Sequence, residues 1–341
     1  MAIHNFVFLT GSTGFVGGHF LIHLYHSGRR VRALIRTSSS FDELRLICDY
    51  YRQSFDELFA AVEWVYGNTL DYISLCDLLN GAEEVFHCAG AVSFDSGNSR
   101  QLFQTNIQGT SNMVDAALKC SVKRFCFISS ISALGNTKGQ DFINEETARQ
   151  SEEIYSLYSD SKFRSELEVW RANSEGLDTV ILNPGVVLGP GSPRKGSLLL
   201  FQTVQRGMPF YTNATTGYID VRDICRAGIE LMEKGLFGKR FILVSENVSN
   251  KELLSMIASE FSVKPPRYQA GKTLLQLSAC LSENIWKLMG LEPKLTRDLV
   301  RIVQSSSKYS SQKIETALNF QFTPLCKTIH DTCFFIKENG L

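Results

Sequence analysis

Short apolar runs of strand length recur along the chain, each separated from the next by a segment long enough for a helix. Ile3–Thr10 precedes a helical pattern over Phe15–Ser27, and Val31–Ile35 precedes Phe41–Tyr51 and a further helix around Phe55–Val62. Strands are likewise expected at Val62–Tyr66, Glu84–Cys88, Arg124–Ser129, Leu177–Asn183 and Arg240–Val244. Helices at Leu75–Asn80, Ser99–Lys119 and Tyr155–Asn173 fall between them. β-Branched and aromatic runs alternating with helices predict right-handed βαβ units and a parallel sheet covered on both faces.

After Asn183 the pattern changes. Pro184, Gly185, Gly189, Pro190, Gly191, Pro193 and Gly196 punctuate what reads as a long loop. Beyond Ser249 the spacing is mainly helical, over Lys251–Phe261, Thr273–Met289, Leu295–Gln304 and Gln312–Leu318. The expected organisation is α/β, with a sheet domain over 1–187 and 216–247. A smaller, mostly helical substrate-binding region would occupy 188–215 and 248–341. A length of 341 residues suits two such parts.

Charge narrows the partners. Thirty-five basic residues cancel 35 acidic ones, so no global field draws the chain to nucleic acid or an anionic membrane. No apolar run approaches the ~18 residues that span a bilayer. Phe6-Val7-Phe8-Leu9 arrives at once with a glycine loop behind it, as a first strand does and a signal peptide does not. Nine cysteines without a C-x-x-C pair favour reduced thiols in a cytoplasm, with Cys88 and Cys126 as small hydrophobes in strands. His19, His23 and His26 share a helical spacing, but neither they nor His87 have the acidic or thiol neighbours of a metal site, and no metal is expected.

Thr10-Gly11-Ser12-Thr13-Gly14-Phe15-Val16-Gly17 places G-x-x-G-x-x-G between a strand and a helix. Gly11 permits the tight turn, Gly14 lets backbone approach a pyrophosphate, and Gly17 lets the helix sit close to the strand. The helix N-terminus supplies free N–H groups for the anion. The expected fold is therefore a Rossmann-type doubly wound sheet carrying a dinucleotide. The second strand ends in Ile35-Arg36-Thr37-Ser38 with no carboxylate until Asp42. An arginine there suits a ribose 2′-phosphate and leaves a 2′-hydroxyl without an acceptor, so NADP(H) is preferred and NAD(H) remains possible.

Tyr158 and Lys162 lie four apart on one helix face, where an ammonium is expected to bring the phenol pKa down and ready it for proton transfer. Ser129 and Ser130 close the fifth strand, at the sheet edge where ligands bind in such folds.

These residues resemble the extended short-chain dehydrogenase/reductases, the NAD-dependent epimerase/dehydratase superfamily, and within them the dihydroflavonol-4-reductase-like group. The likeness runs from Thr10–Gly17 and Val31–Arg36 through Val65–Asp71, Val85–Gly90 and Asn106–Asn112. It continues over Phe127–Ser130, Tyr158–Lys162, Asn183–Gly191, Tyr218–Ile224 and the tail Lys313–Pro324. The resemblance implies Tyr158 as proton donor or acceptor, Lys162 as holder of the nicotinamide ribose, and Ser130 as orienter of the substrate oxygen, with Ser129 or Ser132 as alternatives. It implies cofactor contacts at Gly11, Thr13, Gly14, Phe15, Val16, Gly17 and Arg36. Further contacts would come from Asn68, Thr69, Cys88, Ala89, Gly90, Asn106, Pro184, Gly185 and Val187, and Asp223 would support the loop. A homodimer is a family habit.

The expected activity is NADPH-dependent interconversion of a small-molecule carbonyl and a secondary alcohol. A sugar-nucleotide epimerase or dehydratase with tightly held NAD, and a non-catalytic nucleotide sensor, are the alternatives. Phe201, Phe210, Tyr211 and Tyr218 are expected either to line an apolar cavity or to pack between the two parts. Lys234, Lys239 and Arg240 read as solvated turn charges.

Overall fold

The computed structural model describes residues 5–92, 99–136, 141–150, 155–194, 196–271, 300 and 305–341. Strands come in the order β1 (Phe6–Thr10), β2 (Val31–Ile35), β3 (Glu63–Tyr66), β4 (Ala82–His87), β5 (Arg124–Ile128) and β6 (Asp178–Pro184). Then follow β7 (Val186–Leu188), β8 (Phe210–Tyr211), β9 (Thr215–Asp220), β10 (Lys239–Leu243), β11 (Glu246–Ser249) and β12 (Tyr268–Gln269). Seven of them form one sheet, ordered β3-β2-β1-β4-β5-β6-β10, with every pair parallel. The chain reverses its direction of winding between β1 and β4, which opens a crevice at the carboxyl ends of the strands.

The helices are α1 (Phe15–His26), α2 (Asp42–Tyr51), α3 (Phe55–Ala61), α4 (Tyr72–Leu79), α5 (Ser99–Phe103) and α6 (Gly109–Lys119). After them come α7 (Leu157–Ser174), α8 (Leu199–Gln205), α9 (Val221–Glu233), α10 (Asn250–Glu260), α11 (Gln312–Leu318) and α12 (Leu325–Glu338). Strand alternation divides the core. Val7 and Leu9 of β1 join Phe20 and Leu24 of α1, Leu44 and Ile47 of α2 and Leu231 of α9 on one face. Phe6 and Phe8 join Leu75 and Leu79 of α4, Met113 and Ala117 of α6 and Val169 of α7 on the other. Each such side chain contributes about 1.5–3 kcal/mol by leaving water, so both faces are sealed. Among the described residues no helix is long and apolar enough to cross a membrane.

Three features depart from the sequence pattern. The helix expected over Ser99–Lys119 is interrupted by a π turn at Gln104–Gln108, which carries Asn106 into the interior. The punctuated segment after Asn183 holds β7, which pairs parallel with β9, and β9 pairs antiparallel with β11. Three helices were unforeseen, α8, α9 and α12. Asp220 caps α9 by accepting the Arg222 N–H, and Leu325, Ile329, Cys333 and Ile336 of α12 pack with Leu253 and Ile257 of α10 and Phe201 of α8. The helix expected at Thr273–Met289 lies outside the described residues, as does that at Leu295–Gln304 apart from Val300.

Candidate active site

The turn after β1 is shaped by what its glycines exclude. Gly11 has φ +73° and carries the chain past β4: a Cβ there would stand 2.8 Å from Ala89 N. A Cβ on Gly17 would be 2.1 Å from Gly11 O, so only a bare backbone lets α1 sit this close to the turn. Gly14 donates its N–H to Gly11 O at 2.9 Å and precedes α1, whose start has neither a side-chain cap nor an acidic first-turn residue. Thr13, Phe15 and Val16 are half-buried around it, and the buried Ser12 Oγ has no hydrogen-bond partner among the described residues. A glycine cradle, an uncapped positive helix end and an orphaned hydroxyl fit the pyrophosphate of a dinucleotide.

Arg36 is exposed at the end of β2, where its N–H donates to Ser39 Oγ (3.0 Å) and its carbonyl accepts the Ser39 N–H (2.9 Å). That turn holds the Ser39 hydroxyl on the Arg36 backbone. After β3, Asn68 is exposed and accepts the Leu70 N–H through Oδ1. Thr69 is buried, its carbonyl taken by Asn112 Nδ2 at 2.9 Å. After β4, Cys88 and Ala89 are half-buried and Gly90 is exposed. Asn106 clasps this passage, Oδ1 accepting the Ala91 N–H (2.8 Å) and Nδ2 donating to Ala91 O (3.0 Å) and Ser161 Oγ (2.9 Å). Pro184 and Gly185 are buried at the end of β6 and Val187 is half-buried. A Cβ on Gly185 would meet Gly217 O at 2.5 Å, which fixes where the chain crosses β9.

Tyr158 and Lys162 lie one turn apart on α7, whose start is capped by Ser156 accepting the Ser159 N–H. The phenol of Tyr158 is hydrogen-bonded to Ser130. Ser132 donates its hydroxyl to Ser130 Oγ at 3.0 Å. Ser129 points elsewhere, donating to Glu166 Oε1 at 2.5 Å. Of the three candidate serines, Ser130 is therefore the one beside Tyr158, with Ser132 behind it.

The electrostatics differ from the expectation. Burial pushes the Tyr158 phenol up to about 12, and the hydrogen bond with Ser130 pulls only part of the way back. Lys162 is not among the groups that act on the phenol, and its ammonium donates to Ile128 O at 2.9 Å. A Cβ on Gly90 would stand 3.2 Å from that ammonium, which places Lys162 against the passage after β4. Burial brings Lys162 itself down to about 8, with Glu166 and then Cys88 opposing.

Other singled-out residues turn out to be structural. His87 bridges Thr10 Oγ1 (2.7 Å) and Thr110 Oγ1 (3.2 Å), stacks on Phe127 and is held neutral by burial, its pKa lowered to about 3. His19 and His23 both bond the Tyr51 hydroxyl, and His19 also bonds Pro190 O. Asp223 accepts Thr323 N–H and hydroxyl and pairs with Arg226. Phe201 and Tyr218 are core residues, whereas Phe210 is exposed beside Tyr268. Arg240 is not a solvated charge: it is only 19% exposed, and it donates to Glu145 O and Glu166 Oε2. Lys234 is exposed, as expected. Sequence reasoning also passed over Glu166, although a carboxylate one turn beyond Lys162 on the same helix face was a legible signal.

A family model described as the NAD dependent epimerase/dehydratase family matches residues 7–243. A Synechocystis sp. protein whose name assigns it provisionally to dihydroflavonol 4-reductase is 27% identical, covering 100% of this chain and 97% of its own length. Cinnamoyl-CoA reductase 1 of Petunia hybrida is 26% identical over 98% of this chain and 92% of its own. Among solved structures, gox2253 superposes with TM-score 0.80 at 26% identity over 99% of both chains. Bordetella bronchiseptica WbmH, solved with NAD+, superposes with TM-score 0.72 over 99% of this chain and 100% of its own, a likeness of fold at 21% identity.

Proposed function

Since this chain belongs to the NAD dependent epimerase/dehydratase family, and is thus an extended short-chain dehydrogenase/reductase and an NAD(P)-dependent enzyme, we propose that it reduces a carbonyl to a secondary alcohol with NADPH. The observation that carries the reading is the hydrogen bond between Tyr158 and Ser130 at the carboxyl edge of the sheet, one helical turn from the buried Lys162. Relatives named as reductases support this choice over others in the family.

The cofactor would lie with its pyrophosphate at Gly11–Gly17 and its 2′-phosphate at Arg36 and Ser39. Asn68 and Thr69 would flank the adenine, and Cys88, Ala89 and Gly90 the ribose. The nicotinamide would reach Pro184–Val187, with its ribose on Lys162. When bound, the reduced dinucleotide supplies the hydride. The chain's own task is the proton.

A phenol pushed up to about 12 holds its proton at neutral pH, which suits Tyr158 to give one to a forming alkoxide rather than to take one from an alcohol. Ser130 donates to the same oxygen and fixes its position. The Lys162 ammonium, which donates to Ile128 O at 2.9 Å, would hold the nicotinamide ribose and so set the ring against the substrate carbon. The smaller region around 188–215 and 248–341 would supply the walls that choose the substrate.

The test is NADPH oxidation over a panel of aldehydes and ketones. Tyr158→Phe should lose about 10²–10⁴-fold in kcat while binding nucleotide as before. Equal turnover by the variant would remove Tyr158 from the chemistry. The sugar-nucleotide epimerase reading rests on the family description, which includes epimerases and dehydratases, and tightly held oxidised NAD in the purified protein would decide for it.

A further inference from the structure

Beneath Ser130, Tyr158 and Lys162 lies a carboxylate that no motif includes. Glu166 follows Lys162 by one turn of α7 and is 1% exposed. Its Oε1 accepts Ser129 Oγ (2.5 Å) and Asn183 Nδ2 (2.6 Å), and its Oε2 accepts an Arg240 N–H (3.2 Å). Those donors come from the ends of β5 and β6 and from β10, three neighbours in the sheet. The same Asn183 amide donates to Ser130 O at 2.9 Å. The backbone that presents the Ser130 hydroxyl is thus tied through one amide to one buried carboxylate. Burial pushes the Glu166 carboxyl above its usual range, and the two neutral donors and the Arg240 guanidinium oppose that shift and favour the charged form.

We propose that Glu166 is a positioning residue of this site: its carboxylate fixes the backbone of Ser130 through Asn183 and sustains the charge on Lys162. The inference rests on the reduction chemistry proposed above and deepens it.

Two lines of physical reasoning support the second half. Burial drives the Lys162 ammonium toward its neutral form, and Glu166 is the foremost influence opposing that. The ionisable and charged groups facing the pair are Arg240 from β10, His87 at the end of β4 and Cys88 just after it, Tyr158 on α7, and Glu145, whose carbonyl also takes Arg240. Arg240 and the neutral His87 cannot favour an ammonium, and a buried thiol does so weakly. Glu166 is the group placed to do it.

The experiment compares the pH dependence of kcat for carbonyl reduction in the unmodified protein, Glu166→Gln and the charge-balanced pair Glu166→Gln with Arg240→Gln. Activity of the unmodified protein should fall as pH rises through about 8, where Lys162 loses its proton. In Glu166→Gln that alkaline limb should move down by about one pH unit or more. The double variant should recover the melting temperature but keep the displaced limb, which separates a charge effect on Lys162 from loss of folding. An undisplaced limb with unmodified kcat overturns the proposal. So does failure of both variants to fold, since Glu166 would then be a purely structural residue. The titration of Lys162 is also read without turnover, by NMR of ¹³C-labelled lysine ε-carbons assigned with Lys162→Arg. If the unmodified protein reduces no carbonyl, the functional reading fails, while the ε-carbon titration still decides the role of Glu166.

Discussion

Gly17 and Gly18 sit side by side on α1, yet a methyl group added to each meets different matter. At Gly17 the new carbon would stand 2.1 Å from Gly11 O and 2.5 Å from Gly11 C. Both atoms belong to a turn pinned by the Gly14-to-Gly11 hydrogen bond of 2.9 Å and by the left-handed φ of Gly11. An unstrained carbon contact needs about 3.5–4.0 Å, so helix and turn must part by more than about 1 Å. At Gly18 the nearest atom is Ile47 Cδ1 at 2.7 Å, the tip of a side chain that can rotate. Replacing glycine by alanine inside a helix gains about 0.8–1.0 kcal/mol, and overpacking costs about 1–3 kcal/mol. For Gly18→Ala the two nearly cancel. For Gly17→Ala a loss of about 2 kcal/mol remains, because backbone cannot yield as a methyl can. At about 2.1 cal/mol/K per residue of unfolding entropy, a 341-residue chain then melts about 3 °C lower. The displaced helix start should also weaken NADPH by at least about tenfold, the equivalent of 1.4 kcal/mol. Thermal melting and NADPH fluorescence titration of both variants decide the matter. If Gly17→Ala binds and melts like Gly18→Ala, the close approach of helix to turn is not what the glycine serves.

Other expectations follow from single groups. Arg36→Ser should cost NADPH about tenfold or more in affinity, the worth of a charge-assisted hydrogen bond, and leave NADH unchanged; equal losses for both would clear Arg36 of any part in choosing the cofactor. Acid should destabilise the fold through its buried histidines. Burial lowers His19 and His87 to about 3 and His23 to about 4, against 6.5 for a free side chain. Between those values the unfolded chain binds protons that the folded chain refuses, so stability is full above about 6.5 and is lost as pH falls. The slope should approach about 1.4 kcal/mol per pH unit for each histidine. Urea melts of His87→Gln against the unmodified protein at pH 7 and pH 5 should show a flatter pH dependence in the variant, and parallel slopes would contradict this.

The alternation up to Asn183 was legible because local periodicity and sheet burial agree there: β1 to β6 lie where the apolar runs lie. What escaped was built by distant partners. β7 has three residues and β11 four, and neither means anything until β9 lies between them. The π turn at Gln104–Gln108 adds one residue to a helical turn, which no 3.6-residue pattern reveals, yet it is what brings Asn106 to Ala91. Tyr158, Lys162 and Ser130 could be named from spacing. The choice among three serines could not, because it depends on Glu166 and Asn183 drawing Ser129 and the Ser130 carbonyl away. The phenol's raised pKa escaped for a related reason. Sequence spacing places a lysine nearby but says nothing of the burial that pushes the phenol up.

The last strand to join the large sheet bears on how the chain is made. β10 pairs parallel with β6, from Lys239 against Val180 to Leu243 against Pro184. A ribosome extending the chain at about 5–20 residues per second therefore completes β1 to β6 while the outer margin of β6, a nearly wholly buried Val-Ile-Leu stretch in the finished protein, still lacks its neighbour. Until Lys239–Leu243 emerges, that margin is an open template for another nascent chain, and its closure ends the interval in which synthesis is most exposed to aggregation.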